Sequence, residues 1–331
     1  MTSLLTIDGL TVRLPVEGEM RTVLRDVSLS IGPAEAVGLV GESGSGKSMT
    51  ARAIARLLPD GAAVGGTIEF DGQSVLDLRG AALRRYRTDG IAMIFQDPRA
   101  HTNPVRKVGD FLTEAMRTNR SASAAEARSA AIEVLGAVGI DDAERRMSQY
   151  PHELSGGLLQ RMMIAATLLM RPRLILADEP TTALDVTTQS EVMAILSELR
   201  HDHDLALLFI THDLELAAAV CDRTAVMYAG ELVEQRDSNA LHDDPLHPYT
   251  AALVQARPSV DGTAARLAAI PGRPLSAFEA PDGCAFATRC AYVEPACEAS
   301  HPEIRTLAGG LVRCRRADEL RGSLLAGVPH G

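Results

Sequence analysis

Residues Gly41–Ser48 read GESGSGKS, and the reading of this stretch decides the fold. It meets every fixed position of the phosphate-cradling pattern G-x-x-x-x-G-K-[ST]. The apolar run Ala36-Val37-Gly38-Leu39-Val40 just upstream reads as a buried strand, and Met49 to Leu58 downstream reads as a helix. Strand, glycine loop and helix in this order are the context the pattern needs. The glycines let backbone N–H groups converge on an anion, and the helix N-terminus adds partial positive charge. Gly41, Ser43, Gly44 and Gly46 form the cradle. Lys47 is expected on the β- and γ-phosphates of a nucleotide, and the Ser48 hydroxyl on Mg²⁺. A glycine-rich turn with a surface lysine is the ordinary alternative, and it leaves the flanking strand and helix unexplained. The chain has lysine only at Lys47 and Lys107, all its other strong bases being arginine, so the loop lysine stands out as required.

The loop occurs in many nucleotide-binding families, so four further segments narrow the reading. In Leu154-Ser155-Gly156-Gly157-Leu158-Leu159-Gln160-Arg161, Ser155 is a natural N-cap for the apolar helix running through Met162–Met170. The glycines allow close backbone approach, which makes a second anion site at a helix start; a plain capped helix reads equally well. In Leu174-Ile175-Leu176-Ala177-Asp178-Glu179-Pro180 a buried strand ends in two carboxylates. Asp178 suits the Mg²⁺ shell and Glu179 suits a general base that polarises water. Phe209-Ile210-Thr211-His212-Asp213 is another strand ending in polar groups, and His212 there can reach a γ-phosphate; a structural histidine is the ordinary reading. In Ile94-Phe95-Gln96-Asp97-Pro98, Gln96 follows a short strand and would mean little alone.

Taken together, these segments resemble the ATP-binding subunit of an ABC transporter over about residues 4–255. The order matches throughout: phosphate loop (Gly41–Ser48), Q-loop (Gln96), signature (Leu154–Gln160), Walker B strand with its glutamate (Leu174–Glu179), D-loop (Ala183-Leu184-Asp185) and H-loop (His212). Tyr150-Pro151-His152-Glu153, Ala177–Val186 and Pro245-Leu246-His247-Pro248-Tyr249-Thr250 are similar to the dipeptide/oligopeptide importer ATPases, and within these to the "D"-type subunit. The nickel and glutathione importer ATPases share much of this wording. The resemblance implies an α/β, RecA-like P-loop NTPase core with an antiparallel β subdomain and a helical subdomain at about 97–165. It implies head-to-tail dimers in which each ATP lies between one phosphate loop and the other subunit's signature, so that Ser155 and Gly157 act in trans and Asp185 lies by the nucleotide. Glu179, His212 and Gln96 are then catalytic, and Ser48, Gln96 and Asp178 surround Mg²⁺. The implied partners are a homologous "F"-type ATPase, two transmembrane permease subunits and an extracytoplasmic solute-binding protein. The Asp97–Pro104 loop would sense the membrane subunit.

One departure from the family pattern concerns the base. Such ATPases commonly stack adenine on an aromatic residue upstream of the phosphate loop, and here no aromatic precedes Phe70. Leu14 or Val23 is expected to pack against the base instead, with modest base selectivity.

Composition bounds the rest. With 331 residues and 46% hydrophobic content, about two domains and a large core are expected. The net charge of −10 argues against a nucleic-acid surface. No apolar run approaches the roughly 18 residues of a membrane-spanning helix, and no secretory signal is visible. The expected place is the cytoplasmic face of the membrane, reached through partners. A soluble ABC ATPase of translation or DNA repair is the alternative; those carry two nucleotide domains or a coiled-coil insertion, and neither pattern is present.

The ATP-binding domain is expected to span 1–255. Residues 256–331 change character, with proline and glycine rising in Ile270-Pro271-Gly272-Arg273-Pro274 and four of five cysteines present: Cys284, Cys290, Cys297 and Cys314. Cys221 stands apart, as a buried thiol on a helix. A cytoplasmic chain disfavours disulfides, so four thiolates on a loop-rich tail read as a metal site, either Zn²⁺ or an iron–sulfur cluster, although the spacing is not the C-x₂-C of common zinc sites and four unconnected thiols are the ordinary alternative. The segments around Gly283-Cys284, Arg289-Cys290 and Arg313-Cys314 resemble the C-terminal extension of the peptide-importer ATPases, some of which hold a [4Fe–4S] cluster there.

Overall fold

The computed structural model describes residues 3–181, 184–256 and 270–326. Ala183 of the D-loop segment lies outside them. In chain order the elements are β1 (Leu5–Val16), β2 (Glu19–Ile31), β3 (Ala36–Val40), α1 (Lys47–Ile54), β4 (Ala63–Phe70), β5 (Gln73–Ser74), α2 (Gly80–Arg85), β6 (Ile91–Ile94), α3 (Val108–Asn119), α4 (Ala124–Ala137), α5 (Ala143–Met147) and α6 (Gly156–Leu168). There follow β7 (Leu174–Asp178), α7 (Val186–His203), β8 (Ala206–Thr211), α8 (Leu214–Val220), β9 (Arg223–Tyr228), β10 (Glu231–Asp237), α9 (Ser238–Asp243), α10 (Pro248–Gln255), α11 (Pro295–Ala299), β11 (Arg305–Leu307), β12 (Gly310–Val312) and α12 (Ala317–Leu320).

The chain divides into two compact units. One comprises Gly32–Glu35 and Asp77–Ile210; the other comprises the chain up to Ile31, Ala36–Leu76, and the chain from Thr211 on.

In the first unit β6, β7 and β8 run parallel, with β7 in the middle. β7 and β8 are buried along their whole length, as parallel strands covered on both faces must be. Helices α3 to α6 fill the chain between β6 and β7. Helix α4 starts at Ala124. Ser123 caps it by accepting from Glu126 N–H at 3.2 Å, while the Glu126 carboxylate accepts from Ser123 N–H at 2.8 Å. Ser121, at φ 53, breaks it from α3, and Gly139 ends it at φ 69.

The second unit holds two sheets. The antiparallel one runs β2-β1-β4-β5, and β1 and β2 are joined by the two-residue turn Glu17-Gly18, both at positive φ, the geometry of a type I′ hairpin. The other runs β11-β12-β10-β9-β3, with β3 and β9 parallel and the remaining pairs antiparallel. The β11–β12 hairpin comes from the cysteine-containing tail, so the tail extends this sheet. Helix α1 stops at Ile54, short of the expected Leu58. Arg56 turns left-handed at φ 57, and Leu57 N–H reaches back to Arg52 C=O at 2.8 Å, closing the helix end. Cys221 is a buried thiol as expected, placed just past the end of α8.

Candidate functional site

The phosphate loop joins fully buried β3 to α1. Gly46 sits at the helix start with φ 106, and a Cβ there would lie 2.7 Å from Leu24 Cδ2. Backbone conformation and close packing therefore both demand glycine. A Cβ on Gly41 would lie 2.2 Å from Met227 C=O, and Gly44 holds φ 81. Lys47 is 4% exposed, and its ammonium donates to the carbonyls of Gly41 (2.8 Å) and Glu42 (3.0 Å), drawing the charge into the loop. The Ser45 hydroxyl is buried with no hydrogen-bond partner among the described residues. A buried, unsatisfied donor inside an anion-binding loop fits a phosphate oxygen. A helix start in general leaves its first N–H groups without intrahelical acceptors, and the start of α1 follows directly on the glycine loop.

Glu42, a variable position of the loop pattern, is held from the C-terminal tail. Arg289 donates to its two carboxylate oxygens at 2.6 and 3.1 Å. Arg289 also donates from Nε to Pro271 C=O at 2.8 Å. Glu42 N–H donates to the Tyr249 hydroxyl at 2.9 Å. Tyr228, Tyr249 and Phe286 pack together with ring centroids 4.8 to 5.3 Å apart, and the Arg289 guanidinium lies 5.6 Å over Tyr228. Sequence reasoning passed over Glu42, Ser45 and Arg289 because the pattern leaves the first two positions open and the third looks like any tail arginine.

In the first unit Asp178 ends β7, 4% exposed, and Glu179 follows at φ 47. Its N–H donates to Ile210 C=O at 3.0 Å, which pins the backbone in that left-handed conformation. Gln96 Nε2 donates to Glu179 Oε2 at 2.9 Å, so the expected Q-loop amide and the expected general base are brought together. Ser155 caps α6 by accepting from Leu158 N–H at 3.3 Å. A Cβ on Gly157 would lie 2.5 Å from Thr188 Cγ2. Asp185 caps α7, accepting from Thr188 N–H at 3.0 Å and from Thr188 Oγ1 at 2.8 Å. Those bonds, from the backbone N–H first, hold the Asp185 carboxyl below its ordinary range. Gly157 and Asp185 are thus joined through Thr188. Beside the loop after Gln96 lies a cavity of about 250 Å³ lined by His101, Asn103, Arg106, Phe111, Glu114 and Met162, among others.

His212 is exposed, just after β8, and the neighbouring Asp213 caps α8 by accepting from Glu215 N–H at 2.9 Å and Leu216 N–H at 3.0 Å.

The four tail cysteines line one pocket with His247, Phe286, Tyr292 and Arg316. Cys284 N–H donates to Cys297 C=O at 2.8 Å. Burial first, and then the neighbouring thiols, push the Cys290 thiol up to about 11 and the Cys314 thiol up to about 12. Neutral, desolvated thiols pack as small apolar groups. The donor type fits a soft metal and the four side chains share a pocket, but among the described residues no group of three or more Cys, His, Asp or Glu side chains is arranged to hold a metal ion.

The ABC transporter family pattern matches residues 24–182, and the pattern for the oligopeptide/dipeptide transporter C-terminal region matches 233–297. The oligopeptide transport ATP-binding protein OppD of Haemophilus influenzae is 40% identical over 313 residues, 95% of this chain and 97% of that protein. The chain belongs to the ABC transporter ATP-binding family. The dipeptide transport ATP-binding protein DppD of Escherichia coli is 40% identical to this cassette over 93% of it and 94% of that protein. The ATP-binding cassette MJ0796, solved as a dimer in a post-hydrolysis state bound to ADP and Pi, superimposes with a TM-score of 0.64 at 28% identity, covering 71% of this cassette and 98% of that chain. The expected P-loop α/β fold with an antiparallel sheet stands. Among the described residues no helix is long and apolar enough to cross a membrane.

Proposed function

We propose that this cassette is the ATP-hydrolysing subunit of an importer for di- or oligopeptides. The observation that carries the reading is its 40% identity to an oligopeptide transport ATP-binding protein across nearly the whole of both chains, tail included. The substrate is ATP with Mg²⁺. Lys47, Ser45 and the Gly44–Ser48 backbone take the phosphates, and Ser48 and Asp178 are the Mg²⁺ residues. Glu179 orients and deprotonates the attacking water, Gln96 positions Glu179, and His212 serves the γ-phosphate. Ser155 and Gly157 face the nucleotide of a homologous F-type ATPase, with Asp185 as the cap behind them. Two permease subunits and an extracytoplasmic binding protein complete the machine, which places the chain on the cytoplasmic face of the membrane. The cavity beside residues 101–106 is the docking place for a permease segment. The domain boundary falls near residue 255, and the helical subdomain runs over about 97–165. Cys284, Cys290, Cys297 and Cys314 are the donor set for a [4Fe–4S] cluster or Zn²⁺ with a structural role, and no step of hydrolysis passes through it.

The test is a Glu179→Gln variant assembled with its membrane partners in vesicles. Peptide uptake and ATP turnover are expected to fall together by 10²- to 10⁴-fold while ATP binding persists. Uptake of nickel or glutathione but no peptide would change the solute, and parental turnover in the variant would remove Glu179 from its role. Absorbance after anaerobic purification separates a cluster from zinc or from free thiols.

A further inference from the structure

We propose that the nucleotide base stacks on Phe278, a residue of the C-terminal tail, with Arg21 backing the ring. The proposal rests on the ATP-binding reading of the phosphate loop and supplies the part of that site the sequence left open.

The chain offers no aromatic residue upstream of the loop to carry a base. The structure brings one from the other end of the polypeptide. Gly46 of the loop lies against Gly230, whose Cα is 3.4 Å from where a Gly46 Cβ would sit. Gly230 N–H donates to Ser45 C=O at 2.9 Å, and Arg25 N–H donates to Gly230 C=O at 2.9 Å. A Cβ on Gly230, at φ 80, would lie 2.5 Å from Ala277 Cβ and 2.8 Å from Val23 C=O. The loop, the β9–β10 turn, β2 and the 3₁₀ turn Ala277–Glu279 are therefore packed closely together beside the phosphate cradle.

Phe278 follows Ala277 in that turn. It is 49% exposed, whereas Tyr228, Tyr249 and Phe286 around the same loop are buried. The Arg21 guanidinium stands 5.3 Å from its ring centroid. Among the described rings around the loop, Phe278 is the one with area left to offer a base. The turn that presents it is built rigidly. Ser276 N–H donates to Glu279 at 3.0 Å, and Arg273 grips the Glu279 carboxylate at 2.6 and 3.1 Å. β2 is also irregular here, its register stepping from Val12–Leu24 to Arg13–Thr22 so that Val23 is skipped, and such a bulge re-aims neighbouring side chains. Val23 thus contributes backbone to the packing, and Phe278 takes the role expected of Leu14 or Val23. Stacking on a phenyl ring tolerates any base, which keeps base selectivity modest.

The experiment titrates the purified full chain and its Phe278→Ala and Phe278→Trp variants with ATP, GTP and inorganic tripolyphosphate. Phe278→Ala is expected to weaken ATP and GTP roughly 5- to 150-fold and to leave tripolyphosphate unchanged, while Phe278→Trp retains ATP affinity. Tripolyphosphate binding also reports that the variant loop is folded. Parental ATP affinity in Phe278→Ala, or an equal loss for ATP and tripolyphosphate, overturns the assignment. If the parental chain itself binds neither ATP nor tripolyphosphate, the phosphate-loop reading fails and this one falls with it.

Discussion

Arg289 and Glu42, 247 positions apart in the sequence, form a two-pronged ion pair of 2.6 and 3.1 Å that fastens the C-terminal tail to the phosphate loop. Arg289 is 6% exposed, so removing its partner strands a buried charge. Glu42→Gln and Arg289→Gln are each expected to cost about 3 kcal/mol of stability. The double variant is expected to lose at least about 1 kcal/mol less than the sum, measured by urea denaturation. Additive losses would mean that the two side chains do not act on each other.

Ser45→Ala tests whether the buried orphan hydroxyl serves a ligand. No side-chain hydrogen bond among the described residues is lost, so the melting temperature should hold or rise. Triphosphate affinity should fall several-fold, read by calorimetry on the full chain. Unchanged affinity would assign Ser45 a packing role only.

Gly157 has two jobs that a compensating pair can separate. Gly157→Ala drives a methyl into Thr188 Cγ2 and disturbs the Asp185 cap that Thr188 satisfies. A loss of about 1–3 kcal/mol is expected, with Thr188→Ser restoring most of it by deleting that methyl. ATP turnover in the assembled transporter should stay low in the double variant if Gly157 also serves a neighbour's nucleotide. Full recovery of turnover would leave it the packing job alone.

Glu234 and His247 form a buried pair of opposite pH habits. Burial raises the Glu234 carboxyl to about 7, although Leu246 and His247 N–H groups donate to it at 2.9 and 2.8 Å. Burial lowers His247 to about 3, and its neutral Nδ1 accepts from Tyr249 N–H at 3.0 Å. Between about pH 6.5 and 4.5 folding takes up a proton at Glu234 and releases one at His247, so the two slopes oppose. Glu234→Gln should leave a chain that loses stability as pH falls through this window. His247→Gln should leave one that gains stability over the same range. Each slope approaches 1.4 kcal/mol per pH unit. Denaturation midpoints at pH 6.5 and 5 check both signs, and parallel trends in the two variants would refute the pairing.

The core of the site was legible because its chemistry is local. A strand, a glycine loop and a helix start follow one another in the sequence, and so do β7 with Asp178 and Glu179, so short-range pattern suffices. What escaped is long-range. Arg289 and Phe278 meet residues more than two hundred positions away, and nothing in their own neighbourhoods marks them. β11 and β12 are three residues each, below the length at which alternation is visible, and only the Ala308-Gly309 turn, at φ 49 and 78, betrays the hairpin. The cysteines were read correctly as a group, while the apolar, proton-retaining character of their pocket depends on Phe286, Tyr292 and Pro302, which spacing cannot reveal.

Arg289 and Cys290 are consecutive, so the clamp on the ATP loop sits one peptide bond from a thiol of the four-cysteine pocket. A shortened version cut near residue 255 would keep every motif from the phosphate loop to His212 and forfeit both the clamp and Phe278. Nucleotide affinities measured on such a minimal domain would describe a different protein.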